Sequence, residues 1–270
     1  MLQTTDGLQL FTQNYLINNA KASVLIVHGL GEHCLRYAHV AKALNGIGAN
    51  VYTFDLRGHG QSGGEQAYIE TMDEYLDDIE AAYRTVPKDL PFFVIGHSMG
   101  GHIALNFLLH KKRTDVRGAI LTGSALEIGE DINAFTIWIV KLIANFAPRF
   151  KTVKLDPNSI SRDPKTVEEY KTNPLIYRAG TKAGLGAALL RGIELLKSKF
   201  SQFDYPTLIM HGGADKITNI EGSKQLYAQS SSQDKTLKIW DGAYHEIFNE
   251  TNQQEIIKTT TDWIEGRIKN

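Results

Sequence analysis

Short unbroken apolar runs alternate along the chain with stretches whose apolar residues recur at helical spacing. Ala22–Val27 is apolar almost throughout, as a strand buried on both faces must be. Residues 50–54, 92–95, 118–122, 205–211 and 237–240 predict further strands, and residues 8–17 a strand entering from the edge. Between them, residues 36–48 carry Tyr37, Val40, Ala41 and Leu44 on one helical face, closed by Gly46 or Gly48. Thr71-Met72-Asp73-Glu74 spells a capping box, and the helix after it presents Leu76, Ile79, Tyr83 and Val86 on one side. Strand and helix in alternation predict an α/β fold with a mostly parallel central sheet and helices on both faces.

One junction stands out. Residues 92–95 run straight into Gly96-His97-Ser98-Met99-Gly100-Gly101, and Ile103, Ala104, Phe107 and Leu108 follow at helical spacing. A Gly-x-Ser-x-Gly alone is usually a chance loop. Between a buried strand and a helix it is a nucleophile elbow, with the serine exposed on a strained turn. Gly96 and Gly100 let strand and helix pass closely, and the Met99 amide at the helix start points at a developing oxyanion. The loop His28-Gly29-Leu30-Gly31-Glu32-His33 follows the first buried strand. It is either a plain strand–helix turn or the second half of an oxyanion hole, with the Leu30 amide as donor. The glycine-rich stretch from Asp55 to Gly64 lacks a P-loop lysine, so it is not a phosphate cradle. Asp55 and Arg57 are expected to pair there and brace the loop.

A serine nucleophile needs a base, and the base needs an orienting carboxylate, in the chain order Ser, acid, His. Four histidines follow Ser98: His102, His110, His211 and His245. The first two lie in the elbow helix and His211 precedes the acid candidate, which leaves His245 as base. Asp215, directly after a buried strand in His211-Gly212-Gly213-Ala214-Asp215, is the favoured acid, and Asp241 is its rival. Ser98, Asp215 and His245, with the amides of Leu30 and Met99, describe ester cleavage through an acyl-enzyme. No cofactor is expected, and no Cys/His cluster has metal-ligand spacing.

From about residue 126 the pattern changes. Residues 132–146 are apolar on nearly every side, yet too short for the roughly 18 residues of a membrane span. They predict either a helix buried between neighbours or a lid whose outer face meets lipid, with Arg149, Lys151 and Lys154 placed for anionic headgroups. Residues 155–202 look helical and loop-rich, with an apolar helix over 183–196. The expected organisation is a core of residues 1–125 plus 203–270 with a helical cap inserted at 126–202. The cap, over residues 132–154, would make peripheral membrane contact.

Composition narrows the classes. Charged residues make up 22% of the 270, with a net charge of −1 and both signs mixed, so nucleic acid is not an expected partner. A single cysteine, Cys34, excludes an internal disulfide. The first residues lack the basic start and apolar core of a signal peptide. The expected location is the cytoplasm, peripheral on membranes.

Taken together, HGLGEH at 28–33 with Arg36-Tyr37, DLRGHGQS at 55–62, GHSMGG at 96–101, NPLIYRAG at 173–180, the block 211–215 and SQDKTLKIWDGAYHE at 232–246 resemble the monoacylglycerol lipase family of α/β-hydrolases. The likeness covers nearly the whole chain. It implies an α/β-hydrolase fold, hydrolysis of 1- and 2-monoacylglycerols beneath an amphitropic cap, and a polar alcohol pocket at Glu32, Arg36 and Tyr170. Glu32 and Arg36 read without the resemblance are equally a surface ion pair. Two departures stand out. Phe248 replaces a histidine that animal members carry near the glycerol exit. The cap also lacks the cysteines that make mammalian members thiol-sensitive, so oxidants are expected to act weakly. The triad alone leaves open a lysophospholipase, a broad carboxylesterase, or a catalytically silent binding protein on the same scaffold. A dehalogenase or epoxide hydrolase would place an aspartate at the elbow.

Overall fold

The computed structural model describes residues 1–129 and 134–268. Strands β1 (Leu2–Gln3) and β2 (Gln9–Leu10) form a small antiparallel pair. The main sheet has seven strands: β3 (Thr12–Tyr15), β4 (Ala22–Val27), β5 (Ala49–Phe54), β6 (Phe92–His97), β7 (Val116–Thr122), β8 (Thr207–Gly212) and β9 (Lys235–Trp240). Their spatial order is β3-β5-β4-β6-β7-β8-β9, and only β3 runs antiparallel. The expected edge strand over 8–17 is broken at Phe11, whose carbonyl accepts the Asp55 amide at 2.9 Å. Strand β7 starts at Val116, ahead of the expected 118, because Val116 pairs with Phe92.

Helices α1 (Ala38–Gly46), α2 (Met72–Thr85), α3 (Met99–His110), α4 (Ala134–Phe146), α5 (Pro164–Thr172), α6 (Ala183–Lys197), α7 (Ile220–Gln229) and α8 (Gln253–Ile268) cover the sheet. Successive strand side chains point to opposite faces. Val94 therefore joins Ile79 and Ile103 in one core, while Phe93 and Ile95 join Val40, Leu44 and Trp263 in another. A short 3₁₀ turn, Cys34–Tyr37, precedes α1, so that helix begins two residues later than its apolar spacing predicts.

The capping box opens α2 as its sequence requires: the Thr71 side chain takes the Glu74 amide and the Glu74 carboxylate takes the Thr71 amide at 3.1 Å. Thr71→Ala should cost about 1 kcal/mol, read as a lower urea midpoint at unchanged slope.

The expected pairing of Asp55 with Arg57 is not formed. Asp55 is buried and accepts the backbone amides of Cys34 (2.7 Å) and Gln61 (2.8 Å). Arg57 turns instead to α2, placing Nε 2.8 Å from Asp78 and Nη1 2.9 Å from Asp6. Backbone amides from two loops satisfy the aspartate, and the arginine finds its carboxylates only through the tertiary fold.

Strands β7 and β8 are neighbours, so residues 123–206 leave the sheet and return beside their point of departure. This excursion holds α4, α5 and α6. Helix α4 lies on α6, while Leu142 and Phe146, with Phe150 and Val153 just beyond the helix, are exposed. Ile132 and Asn133 of the apolar stretch lie outside the described residues. Helix α6 does not stand apart: Leu185, Ala188 and Leu196 share the core of the β6 side. No helix among the described residues is long and apolar enough to cross a membrane.

Candidate active site

The sheet order reverses between β4 and β6. One leads on to β5 on the left of the sheet and the other to β7 on the right. In open α/β sheets the crevice at that reversal, beyond the carboxyl ends of the strands, is where ligands bind. Both the 28–33 loop and Ser98 stand there.

Ser98 has φ 54° and ψ −121°, a conformation L-residues rarely adopt. Its backbone is held by bonds to Thr122 O and from the amides of Gly101, His102 and Ala125. The tight passage is visible in the glycines. A β-carbon at Gly96 would fall 2.6 Å from Gly100 O, and one at Gly100 would fall 2.2 Å from Val27 O. The elbow helix is thus pressed against the end of β4, which brings the 28–33 loop to the serine; a β-carbon at Gly29 would sit 3.0 Å from Ser98 Cβ. The amides of Leu30 and Met99 donate to no other group among the described residues.

Asp215 and His245 meet across the ends of β8 and β9, with His245 Nδ1 2.8 Å from Asp215 Oδ2. Asp241, the rival acid, is exposed. The Asp215 carboxylate is fully enclosed by donors: its Oδ1 accepts the amides of Ile217 (2.8 Å) and Thr218 (3.1 Å). Burial opposes its charge, but His245 and His211 hold its carboxyl well below the usual carboxylate range. Burial likewise opposes protonation of His245, yet Asp215, Glu246 and Glu32 outweigh it and raise its pKa above the ordinary value of 6.5. His97, packed on His245 at 4.7 Å between ring centres, is pushed by burial and by His245 to about 4. Of this pair, His245 is the one suited to take up a proton at neutral pH.

Glu32, Arg36 and Tyr170 come together beside Ser98. Glu32 and Arg36 are not a surface pair, since both are buried, with Arg36 Nη1 2.9 Å from Glu32 Oε2. Glu32 also accepts the Gly29 amide and the Tyr37 hydroxyl, each at 2.7 Å. Tyr170 places its ring 5.6 Å from the Arg36 guanidinium. Ser98, His245, Glu32 and Tyr170 line one small space of about 10 Å³, room for roughly one water.

A family model described as serine aminopeptidase, S33, matches residues 18–252. The chain is 32% identical over 248 residues to the monoacylglycerol lipase of Mycolicibacterium smegmatis, covering 91% of this chain and 88% of that one. The chain belongs to the monoacylglycerol lipase family of α/β-hydrolases. Among solved structures, the monoacylglycerol lipase of Paleococcus ferrophilus superposes with a TM-score of 0.87 at 28% identity, over 96% of this chain and 99% of that one. The chain is also 36% identical over 253 residues to an uncharacterized abhydrolase domain-containing protein of Dictyostelium discoideum. That match takes in 92% of this chain but 27% of the longer protein. As a member of the family, the chain has an α/β-hydrolase fold and is a carboxylic ester hydrolase.

Three residues of this family member escape a reading of the sequence. Thr218 Oγ1 lies 2.8 Å from Asp215 Oδ2 and 3.3 Å from His245 Nδ1. His211, passed over as a base, sits 3.2 Å from Asp215 through Nε2 and 2.8 Å from Ser223 through Nδ1. Glu246, next to the histidine, grips Arg36 with both oxygens at 2.7 and 2.6 Å. The block around residues 211–246 carried the first two in plain view; that Glu246 faces Arg36 depends on how two distant loops meet. Phe248 is buried with Ile247 and Trp263 in the core, and its carbonyl faces His39. Cys34 is buried, and burial followed by the nearby Asp55 pushes its thiol far above its ordinary range, which leaves little thiolate to oxidise.

Proposed function

We propose that the protein hydrolyses monoacylglycerols to glycerol and a fatty acid, with Ser98 as nucleophile, His245 as general base and Asp215 as its orienting acid. The observation that carries this reading is the 2.8 Å contact of His245 Nδ1 with Asp215 Oδ2 beside a serine strained at an elbow. Nδ1–H donates to the carboxylate, so Nε2 is left to draw the proton from Ser98 as its Oγ attacks the ester carbonyl. The Leu30 and Met99 amides stabilise the oxyanion, a contribution of about 3–4 kcal/mol per donor in other hydrolases. His245 then returns the proton to the glycerol oxygen, and water releases the acid by the same steps. Glu32, Arg36 and Tyr170 form the polar pocket for the glycerol hydroxyls, Glu32 and Tyr170 lining it and Arg36 holding Glu32 from behind. The names of the M. smegmatis and P. ferrophilus relatives support the choice of substrate.

The deciding assay is glycerol release from 1-oleoylglycerol, with oleoyl-lysophosphatidylcholine and trioleoylglycerol in parallel. Faster cleavage of the monoglyceride is the expected result, and faster cleavage of the lysophospholipid would reassign the pocket. The acid limb of kcat/KM should have its midpoint above pH 6.5. His245 must be neutral to act, its pKa is raised, and activity therefore falls as pH drops through that raised value.

Residues 126–202 serve, in this reading, as a cap over the core formed by 1–125 and 203–270. In this reading the cap moves before an acyl chain enters, since the space beside Ser98 holds about one water. Residues 132–154 meet the membrane: Leu142, Phe146, Phe150 and Val153 are exposed there, and Lys151 and Lys154 flank them. Arg149 contributes less to headgroup binding, because it already pairs with Glu65 at 2.8 Å. Replacing Phe146 and Phe150 together with serine should lower co-sedimentation with phosphatidylcholine–phosphatidylserine vesicles at least about tenfold, since each buried aromatic contributes on the order of 2 kcal/mol.

A further inference from the structure

The polar end of the site is unevenly charged. Glu32 and Glu246 both line the space beside Ser98, and no lysine or arginine among the described residues does. The strong cation nearest them, Arg36, lies behind that lining and is shared between both carboxylates, at 2.9 Å from Glu32 and 2.6 Å from Glu246. One guanidinium against two carboxylates leaves a negative charge in excess. Burial works against the charge on Glu32, but Arg36, His97 and His28 bring it down to about 2, so it stays ionised. His97 is the remaining basic group of the lining besides His245, and at about 4 it is neutral near pH 7.

Such a surface is rich in acceptors, and apart from the catalytic groups and the oxyanion amides its side-chain donor is the Tyr170 hydroxyl. The Arg36 donors facing it are directed to Glu32 and Glu246, the Tyr37 hydroxyl to Glu32, and the Asn249 amide to Glu246 Oε2 at 3.0 Å. The hydroxyls of a glycerol group are matched to it, since each can donate to a carboxylate lone pair. A phosphate is not: it needs arginine, lysine or free amides, and an anion held there without them stays buried and unpaired. The amides at the start of α3 are already directed at the ester oxygen.

We propose that Glu246 is a specificity-determining residue that, with Glu32, admits an uncharged polyol headgroup and excludes a phosphate-bearing one. This rests on the monoacylglycerol reading and deepens it.

The test compares 1-oleoylglycerol with 1-oleoylglycerol 3-phosphate, which share acyl chain and ester bond. Both are presented in excess nonionic detergent, so that micelle charge does not differ. The quantity read is the ratio of kcat/KM values, which is insensitive to loss of overall activity. Wild type should favour the neutral lipid by about 100-fold or more. Glu246→Gln should cut that preference at least about tenfold, the scale of one charge removed at close range. Glu246→Asp, which keeps the charge, should hold the preference within about threefold of wild type. Comparable cleavage of both lipids by wild type would overturn the inference and leave the ester hydrolase reading intact. So would equal shifts in the Gln and Asp variants, or no shift in the Gln variant. If wild type cleaves neither lipid, the monoacylglycerol reading itself fails, and the inference with it.

Discussion

Ser98→Ala should lower kcat for 1-oleoylglycerol on the order of 10⁴- to 10⁶-fold while leaving the protein folded. Ala accepts the φ of 54° no worse than serine does, and the bonds that hold position 98 all run through its backbone, to Thr122 O and from Gly101, His102 and Ala125. The melting temperature should therefore stay close to wild type. What is lost is the oxygen that forms the acyl-enzyme. The Leu30 and Met99 amides and the His245–Asp215 pair remain, so a residual rate above the uncatalysed one persists through water attack. Labelling by a fluorophosphonate should vanish with the serine. Retention of more than about a hundredth of the activity, well outside the loss expected for a triad serine, would remove Ser98 from its assigned role.

Asp215→Asn should be nearly as damaging, at about 10⁴-fold in kcat, the scale seen when the acid of another serine triad is made an amide. The contacts explain why. Oδ1 of Asp215 faces two backbone amides, of Ile217 and Thr218, and Oδ2 faces His245 Nδ1. An asparagine keeps its oxygen toward the two amides, because the reverse would set NH₂ against N–H. Its NH₂ then confronts Nδ1, which must give up its proton and become the acceptor. The proton moves to Nε2, and the nitrogen that should receive the serine proton is already occupied. KM should change little. The residual acid limb should move to lower pH, because after burial the Asp215 charge is the largest influence on His245 and the first that raises its pKa. Full activity in Asp215→Asn, together with loss in Asp241→Asn, would transfer the role to the exposed rival.

The elbow and the positions of the buried strands could be read from the chain because each depends on local pattern. A strand buried on both faces reads as a nearly continuous apolar run, and Ser98 must be flanked by glycines, where a β-carbon would be driven into Gly100 O or Val27 O. His245 followed from chain order and Asp215 from its place after β8. What could not be read are contacts set by the meeting of remote loops. Arg57 lies two residues from Asp55 yet finds Asp78 on α2. Glu246 reaches Arg36 across 210 positions of sequence. Thr218 looks like an ordinary loop threonine until β8 and β9 bring it to the Asp215–His245 pair. Helices α7 and α8 present thin apolar stripes in mixed sequence, and their packing partners identify them more clearly than their spacing does.

The return of the chain at β8 has a consequence for how the enzyme is born. Strands β3 to β7 and the elbow are complete once residue 122 has been synthesised, whereas β8, which pairs with β7, waits for residues 207–212. Closing so long a loop is entropically slow, and such non-local pairings set the pace of folding. Asp215 and His245 lie beyond it. A nascent chain therefore carries its serine without its acid and base until Asp215 and His245 follow, and the site is assembled only when β8 and β9 dock.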